Sequence, residues 1–175
     1  AMEELVRAGL VRHIGVSNFS QAKLATLLAG AELAPEVNQV ERHPYLQQPE
    51  LLAFCQANAI GITAYAPLGS PPAGTTSPLL ADPVISTIAA VHGTSAAQVL
   101  LAWGIACGTA VIPKSVHPQR LAANLAAAQL GLSASELAQI ASLDRGERFI
   151  GGGFWDLPGG PYNLANLWDE PIGPG

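Results

Sequence analysis

The chain is poor in charged, aromatic and sulfur-containing residues. Charged residues make up 12% of its 175 residues and aromatic residues 6%, whereas a typical domain has about 25% charged residues. The eight basic residues are scattered and the net charge is −5, so we expect no binding to nucleic acids or to anionic membranes. The hydrophobic share of 49% predicts either a large interior or an uncovered apolar face.

Long apolar runs, paired cysteines and several well-known motifs are also missing. No run reaches the roughly 18 residues of a membrane helix, and no signal-peptide pattern is present, which favours a cytoplasmic protein. Cys55 and Cys107 are the only cysteines, and we expect both to be buried free thiols in a reducing compartment. No residues have metal-ligand spacing, and there is no Gly-rich phosphate loop, G-x-S-x-G or H-E-x-x-H motif.

Short apolar segments alternate with helix-forming segments along the chain. Strands are predicted at about 13–17, 36–40, 60–65 and 110–112, and a long loop at 67–78. Helices are predicted after each strand, with Ser20 as one N-cap and with Ser133 and Glu136 as a capping box. This alternation predicts an α/β fold with a parallel sheet.

Four such units make half of a parallel (β/α) barrel of the TIM type. We therefore expect residues 1–144 to form a half-barrel and residues 145–175, which are rich in Gly, Pro and Trp, to form an irregular tail. Residues 2–8 are predicted to be the last turns of a helix that no capping residue precedes. We therefore expect a truncated protein.

Polar residues follow the predicted strands, where parallel barrels bind their ligands. Lys114 and Ser115 come directly after the fourth strand, and Arg120 lies one turn into the next helix. Two cations, a hydroxyl and a helix N-terminus form a typical phosphate site. The alternative is a surface lysine, a capping serine and a solvated arginine.

The first three strands end in residues of a different kind. Tyr65 presents an aromatic face that is able to stack on a planar ring, or it is a core tyrosine with a bonded hydroxyl. Ser17, Asn18 and Gln39 provide hydroxyl and amide groups suited to a carboxamide, or they serve the turns at the strand ends.

Together these segments resemble the C-terminal half of the aldo-keto reductases, from their fifth to their eighth strand and on into the C-terminal loop. The resemblance covers essentially the whole chain and is specific because order and spacing agree. The segments that carry it are Gly9–Phe19, Val37–Tyr45, Ile62–Ser70 and Val111–Val116, followed by Arg120 and Asn124.

The resemblance implies a site for NADP(H). It implies that Ser17, Asn18 and Gln39 bind the nicotinamide carboxamide and that Tyr65 stacks on the ring. Further positions would follow the pyrophosphate, bind the 2′-phosphate and face the adenine, and the tail would provide two aromatic substrate contacts. The cofactor positions are Leu68, Ser70, Lys114, Ser115, Val116, Arg120 and Asn124, and the substrate positions are Trp155 and Trp168.

The resemblance also implies an activity, the NADPH-dependent reduction of aldehydes or ketones to alcohols. The family's Asp-Tyr-Lys-His tetrad comes from the first four strands, and this resemblance begins after them, so no catalytic residue is assigned here. Hydride transfer to a carbonyl requires a proton donor and hydrogen bonds to the developing oxyanion. We therefore expect catalysis on a small carbonyl substrate only together with a complementary N-terminal half.

Two alternatives remain at this stage. The first is a non-enzymatic half-barrel that self-associates through its exposed sheet, since open sheet edges and apolar faces favour association. The second is a different β/α-barrel enzyme with a phosphate-bearing ligand, for which Glu41 and His43 are the only candidate acid–base pair.

Overall fold

The computed structural model describes residues 1–71, 74–160 and 162–169. Residues 72 and 73, in the predicted loop, and residues 161 and 170–175, in the predicted tail, lie outside these ranges. The chain divides into two compact units. Unit one consists of Ala1–Gln39, Pro49–Gly61 and Ile150–Gly175, and unit two consists of Val40–Gln48 and Ile62–Phe149.

Strands and helices alternate along the chain as the sequence predicts. Short 3-10 helices cover Pro78–Ala81, Ala127–Gln129 and Gly153–Trp155. The helices and strands in chain order are α1 (Met2–Arg7), β1 (Gly15–Ser17), α2 (Gln21–Gly30), β2 (Val37–Glu41), α3 (Pro49–Ala57), β3 (Gly61–Tyr65), α4 (Pro83–Val91), α5 (Ala96–Ala106), β4 (Ala110–Val111), α6 (Pro118–Ala126), α7 (Ala134–Ala141) and α8 (Leu164–Leu167).

The strands are parallel and follow the order β1-β2-β3-β4. In unit one, β1 runs beside the beginning of β2, with Ser17 opposite Gln39. In unit two, β3 pairs with β4, with Ala64 opposite Val111. The fold is therefore α/β with a parallel four-stranded sheet. Because parallel strands end at the same edge, each pair brings its terminal polar residues together.

Local capping explains where several helices begin. The side chain of Ser20 accepts a hydrogen bond from the Lys23 amide at the beginning of α2. Ser133 and Glu136 form the predicted capping box of α7. Asp82 caps α4 by accepting from two backbone amides, and its other carboxylate oxygen accepts from the Tyr45 hydroxyl at 2.7 Å. Such caps typically contribute about 1 kcal/mol each.

The main hydrophobic cluster lies in unit two and is built around α4 and α5. Burying one large apolar side chain contributes roughly 1.5–3 kcal/mol, so this cluster is the principal source of stability in that unit. Its buried members are Tyr45, Leu79, Ile85, Ile88, Ala89, Val99, Leu100, Trp103 and Ile140.

A buried cation borders this cluster. Arg42 is only 3% exposed, and its guanidinium carbon lies 4.5 Å from the centre of the Trp103 ring. It donates to the Thr109 hydroxyl and to the Gln47 carbonyl oxygen, both at 3.0 Å. These contacts compensate for the loss of water around the charge.

Both cysteines are free thiols, and they differ in burial. Cys55 is a buried free thiol, and burial raises its pKa. Cys107 is also free but only partly buried, because it lies at the C-cap of α5 rather than within the helix.

The predicted tail is not wholly irregular, since it contains α8 and one 3-10 helix.

Within the described ranges, no single helix is long and apolar enough to cross a membrane. Only α4 and α5 taken together pass such a test of length and composition, and they meet at 93°.

Helix α5 and strand β4 approach each other closely at Gly104. A Cβ atom on Gly104 would lie 2.7 Å from Cγ1 of Val111. Gly104→Ala should therefore cost about 1–3 kcal/mol through overpacking, only partly offset by about 1 kcal/mol of helix propensity. We expect a net loss of about 1 kcal/mol in the free energy of unfolding, measured by urea denaturation.

Gly30→Ala is the matched control, because nothing lies within 4 Å of a Cβ atom at that end of α2. It should leave stability unchanged or slightly raised. A Gly104→Ala protein as stable as the control would contradict the prediction.

Candidate functional site

Three predicted site residues meet at the ends of β1 and β2 in unit one. The hydroxyl of Ser17 and the backbone amide of Asn18 both donate to the Gln39 carbonyl oxygen at 2.9 Å. Asn18 has a φ of +60°, in the left-handed region that asparagine tolerates better than most residues. The structure therefore brings Ser17, Asn18 and Gln39 together, with the Ser17 side chain exposed.

A neighbouring buried residue fixes this strand end, and sequence reasoning did not single it out. Asn38 is fully buried. Its side-chain nitrogen donates to the Phe19 carbonyl oxygen at 2.8 Å, and its side-chain oxygen accepts from the Phe19 amide at 3.4 Å. Asn38 thus orients the segment that carries Ser17 and Asn18. The available signal was a second polar residue, next to Gln39, in a short predicted strand.

A pocket of about 800 Å³ adjoins these residues within unit one. Ser17 and Asn18 contribute to one wall, and Trp155 and Tyr162 from the C-terminal segment contribute to another. Trp155 is 51% exposed. Trp168, the second predicted substrate residue, donates from Nε1 to the Gly151 carbonyl oxygen at 2.9 Å. The volume is within the usual range for small-molecule sites.

Tyr65 is the last residue of β3 in unit two, and its side chain is half-buried. Burial, followed by the negative charge of Glu41, raises the pKa of its phenol to about 12. The phenol is therefore neutral at physiological pH. A neutral aromatic face suits stacking on a planar ring.

Glu41 and His43 form a buried pair in unit two. Glu41 Oε1 lies 3.0 Å from His43 Nε2, and both side chains are 0% exposed. The Phe149 amide donates to the same carboxylate oxygen at 2.7 Å, and Arg148 Nη1 lies 3.7 Å from Oε2. A general acid or base must come within hydrogen-bond reach of its substrate. The burial of both groups therefore argues against the acid–base role considered for this pair.

The candidate phosphate-binding residues follow β4, also in unit two. Lys114, Val116 and Arg120 are exposed, whereas Ser115 and Asn124 are half-buried. The Ser115 hydroxyl oxygen accepts from the His117 amide at 3.2 Å. The nine-residue helix α6 starts at Pro118, and its N-cap, His117, provides no side-chain hydrogen bond. Free N–H groups of the first turn are a natural partner for an anion.

The two remaining cofactor candidates differ from each other. Leu68 is partly buried and packs against the hydrophobic cluster of unit two, whereas Ser70 is exposed. Gly69 between them has a φ of +77°, and a Cβ there would lie 2.4 Å from the Ser77 hydroxyl oxygen. The chain at this point requires glycine.

Polar groups of distinct chemistry thus occupy the strand ends. Unit one provides hydroxyl and amide groups beside a partly aromatic pocket, and unit two provides a neutral aromatic ring and exposed cations. In the described part of the chain, no group of three or more His, Cys, Asp or Glu side chains is arranged to bind a metal ion.

Comparison with known proteins gives consistent matches. The model of the aldo/keto reductase family matches residues 1–145. Aldo/keto reductase slr0942 of Synechocystis sp. is 56% identical over an alignment that covers 97% of this chain and 54% of that protein. The NAD(P)H-dependent D-xylose reductase of Scheffersomyces stipitis is 46% identical, over 89% of this chain and 52% of that protein. Aldo-keto reductase family 1 member A1 of Bos taurus is 43% identical, over 86% of this chain and 47% of that protein.

The chain spans about half the length of these curated relatives.

The raised pKa of Tyr65 predicts a specific dependence of stability on pH. Because its pKa is near 12 in the folded chain and about 10 when unfolded, the unfolded phenol loses its proton first. Its contribution to stability is complete below pH about 10 and is lost as the pH rises towards about 12. We expect the urea midpoint to fall across this window.

Tyr65→Phe should make that fall smaller. Tyr45→Phe should do the same, because burial and the hydrogen bond to Asp82 raise the Tyr45 pKa to about 12 as well. Absorbance of tyrosinate measures the titration directly. A Tyr65→Phe protein with an unaltered pH profile would contradict the prediction.

Proposed function

The chain belongs to the aldo/keto reductase family, and we propose that it forms the NADP(H)-binding half of a carbonyl reductase of that family. The family relationship supports a nicotinamide cofactor, since the relative from Scheffersomyces stipitis is named as an NAD(P)H-dependent reductase. The proposed whole reaction is the NADPH-dependent reduction of an aldehyde or ketone to an alcohol.

The observation that carries the preference for NADP(H) is the set of residues at the beginning of α6. Lys114 and Arg120 are exposed cations, and Ser115 adds a hydroxyl next to a helix N-terminus without a side-chain cap. A 2′-phosphate is the group that distinguishes NADP(H) from NAD(H). Cations and free amide N–H groups recognise such a group through charge-assisted hydrogen bonds. Val116 and Asn124 are proposed to adjoin the adenosine part.

The nicotinamide end is assigned by its own chemistry. A carboxamide needs both a donor and an acceptor, which Ser17, Asn18 and Gln39 together provide. The neutral ring of Tyr65 is proposed to stack on the nicotinamide, and the segment through Leu68 and Ser70 to follow the pyrophosphate. Bound NADPH would supply the hydride. The residues of this chain would orient the ring that carries it.

The proposed architecture is the part of a (β/α)8 barrel that contains strands five to eight. Residues 1–144 would form this half, and residues 145–175 would form the substrate loop with Trp155 and Trp168. We assign no catalytic residue to this chain, because the family's tetrad belongs to the first four strands. Reduction then requires a complementary half that provides the proton and the oxyanion contacts. We also propose that the protein acts in the cytoplasm.

Exposed apolar side chains support a second candidate function, a non-enzymatic half-barrel that self-associates. Val37, at the beginning of β2, is 38% exposed, and Ile112, directly after β4, is 47% exposed. Open sheet edges and exposed apolar groups favour association. Light scattering together with titration by NADPH distinguishes the candidates, because a monomer that binds NADPH agrees only with the first.

The proposed cofactor preference is tested by titrating the chain with NADPH and with NADH while following tryptophan fluorescence. Lys114→Met should weaken NADPH binding by about tenfold or more, because a hydrogen bond to a charged group contributes about 1.5–3 kcal/mol. NADH binding should change little, since NADH has no 2′-phosphate.

Arg12→Gln is the control, because Arg12 is an exposed cation outside the candidate site. It should bind both nucleotides as the unaltered chain does. Equal losses for NADPH and NADH in Lys114→Met would refute the assigned role. Absence of any NADPH binding, even after the complementary half is added, would refute the proposed function.

A further inference from the structure

Lys23 makes an unusual set of contacts for a surface lysine. It lies in the first turn of α2, yet its side chain is only 27% exposed. Its Nζ donates to the carbonyl oxygens of Asn166 and Leu167 at 3.1 and 2.7 Å, and lies 2.9 Å from the carboxylate of Asp169. An ammonium group has three N–H donors, and three acceptors of one C-terminal segment surround it. We call residues 162–169 the tail segment.

The tail segment presents these acceptors through its own fold. Asn163 and Asn166 exchange side-chain-to-backbone hydrogen bonds around the beginning of α8. The four-residue helix α8 ends at Leu167, where carbonyl groups lack partners within the helix. The Lys23 ammonium supplies partners for two carbonyls of this last turn.

Asp169 strengthens the same connection. Its carboxylate accepts a hydrogen bond from the Ser20 hydroxyl, the group that also caps α2. The hydrogen bonds from Ser20 and then from Lys23 lower the pKa of Asp169, so it is ionised at neutral pH. Ser20 and Lys23, at the beginning of α2, therefore both bind the tail segment.

A second contact fixes the other side of the tail segment. Trp168 donates from Nε1 to the Gly151 carbonyl oxygen at 2.9 Å. Gly152 has a φ of +82°, and a Cβ atom there would lie 2.4 Å from Leu167 Cδ2 and 3.0 Å from Trp168 Cζ2. The absence of a side chain at Gly152 lets the tail segment pack closely.

These contacts close one wall of the pocket in unit one. Tyr162, Leu167 and Asp169 of the tail segment line this pocket, as do Ser17 and Asn18. We propose that Lys23 is a positioning residue, which anchors the tail segment at the beginning of α2 and so encloses the ligand next to Ser17 and Asn18. That this ligand is the nicotinamide end of a cofactor rests on the proposed function, whereas the anchoring does not.

The anchor is expected to open without unfolding the unit. A partly exposed ion pair is a weak contact that salt screens, and the two carbonyl groups can be hydrated once α8 moves away. Closure therefore depends on the combined donors of Lys23. A positively charged side chain of similar length should preserve closure, and an apolar side chain of similar length should abolish it.

Limited proteolysis with chymotrypsin, with cleavage sites mapped by mass spectrometry, tests the anchor. We compare the unaltered chain with Lys23→Met and Lys23→Arg. Cleavage after Tyr162 and Trp168 should become about fivefold faster or more in Lys23→Met, because the opened population of the tail segment rises. Lys23→Arg should stay close to the unaltered chain.

A second cleavage site and a further variant test whether the tail segment opens without general destabilisation. Cleavage after Phe54, within α3, should be the same in all three proteins. Gly152→Ala should also accelerate cleavage of the tail segment, since it displaces that segment from its other side. Unchanged cleavage after Tyr162 and Trp168 in Lys23→Met would overturn the proposal, as would acceleration at Phe54 by the same factor.

Nucleotide binding separates this proposal from the proposed function. Lys23→Met should weaken NADPH and NADH binding by the same factor, because Lys23 acts at the pocket beside Ser17 and Asn18 and not on the 2′-phosphate. Unaltered affinities in Lys23→Met would overturn the enclosing role. If the unaltered chain binds neither nucleotide, the proposed function fails, and the proteolysis alone decides whether Lys23 anchors the tail segment.

Discussion

The contacts of the buried Glu41 carboxylate are the constraint on which the structure around the end of β2 in unit two depends. A charge at the fully buried end of a strand is stable only when the surrounding groups satisfy it. His43, Arg148 and the Phe149 amide all contact this carboxylate, and Gln48 donates to the Glu41 carbonyl oxygen. These partners come from both segments of unit two, so this carboxylate is one of the groups that hold the segment around Phe149 against the strand end.

This constraint also explains the state of the neighbouring tyrosine. Burial and then the negative charge of Glu41 raise the pKa of Tyr65. Removing one partner of a buried charge typically costs about 3–5 kcal/mol. Glu41, which was considered as a possible base, is thus a buried group that is already bonded to His43 and to the Phe149 amide.

The sequence predicted the features that depend on local interactions. The caps at Ser20 and Ser133 and the order of strands and helices follow from neighbouring residues, and the structure agrees. The burial of Glu41 and His43 could not be predicted, because burial depends on what packs against a strand end. The contact of Lys23 with Asp169 joins residues distant in the sequence, and no local pattern indicates it. The partial exposure of Cys107 likewise follows from a helix end that propensity does not fix to one residue.

The chemistry of the residues at the strand ends of each unit supports the proposed cofactor. Neutral hydroxyl and amide groups occupy one set of strand ends, and cations beside a helix N-terminus occupy the last one. A dinucleotide with an uncharged nicotinamide carboxamide at one end and an additional phosphate at the other requires these two environments. The proposal therefore depends most on whether the residues before and within α6 recognise a phosphate on the ribose 2′ position.

Calorimetric titration of the chain with adenosine 2′-monophosphate and adenosine 5′-monophosphate measures that recognition directly. The two isomers have the same charge and the same base, so only the position of the phosphate differs. The account predicts that the 2′ isomer binds about tenfold more tightly or better, a difference of about 1.4 kcal/mol, and that Lys114→Met abolishes this difference. Equal affinities of the folded chain for the two isomers would contradict it.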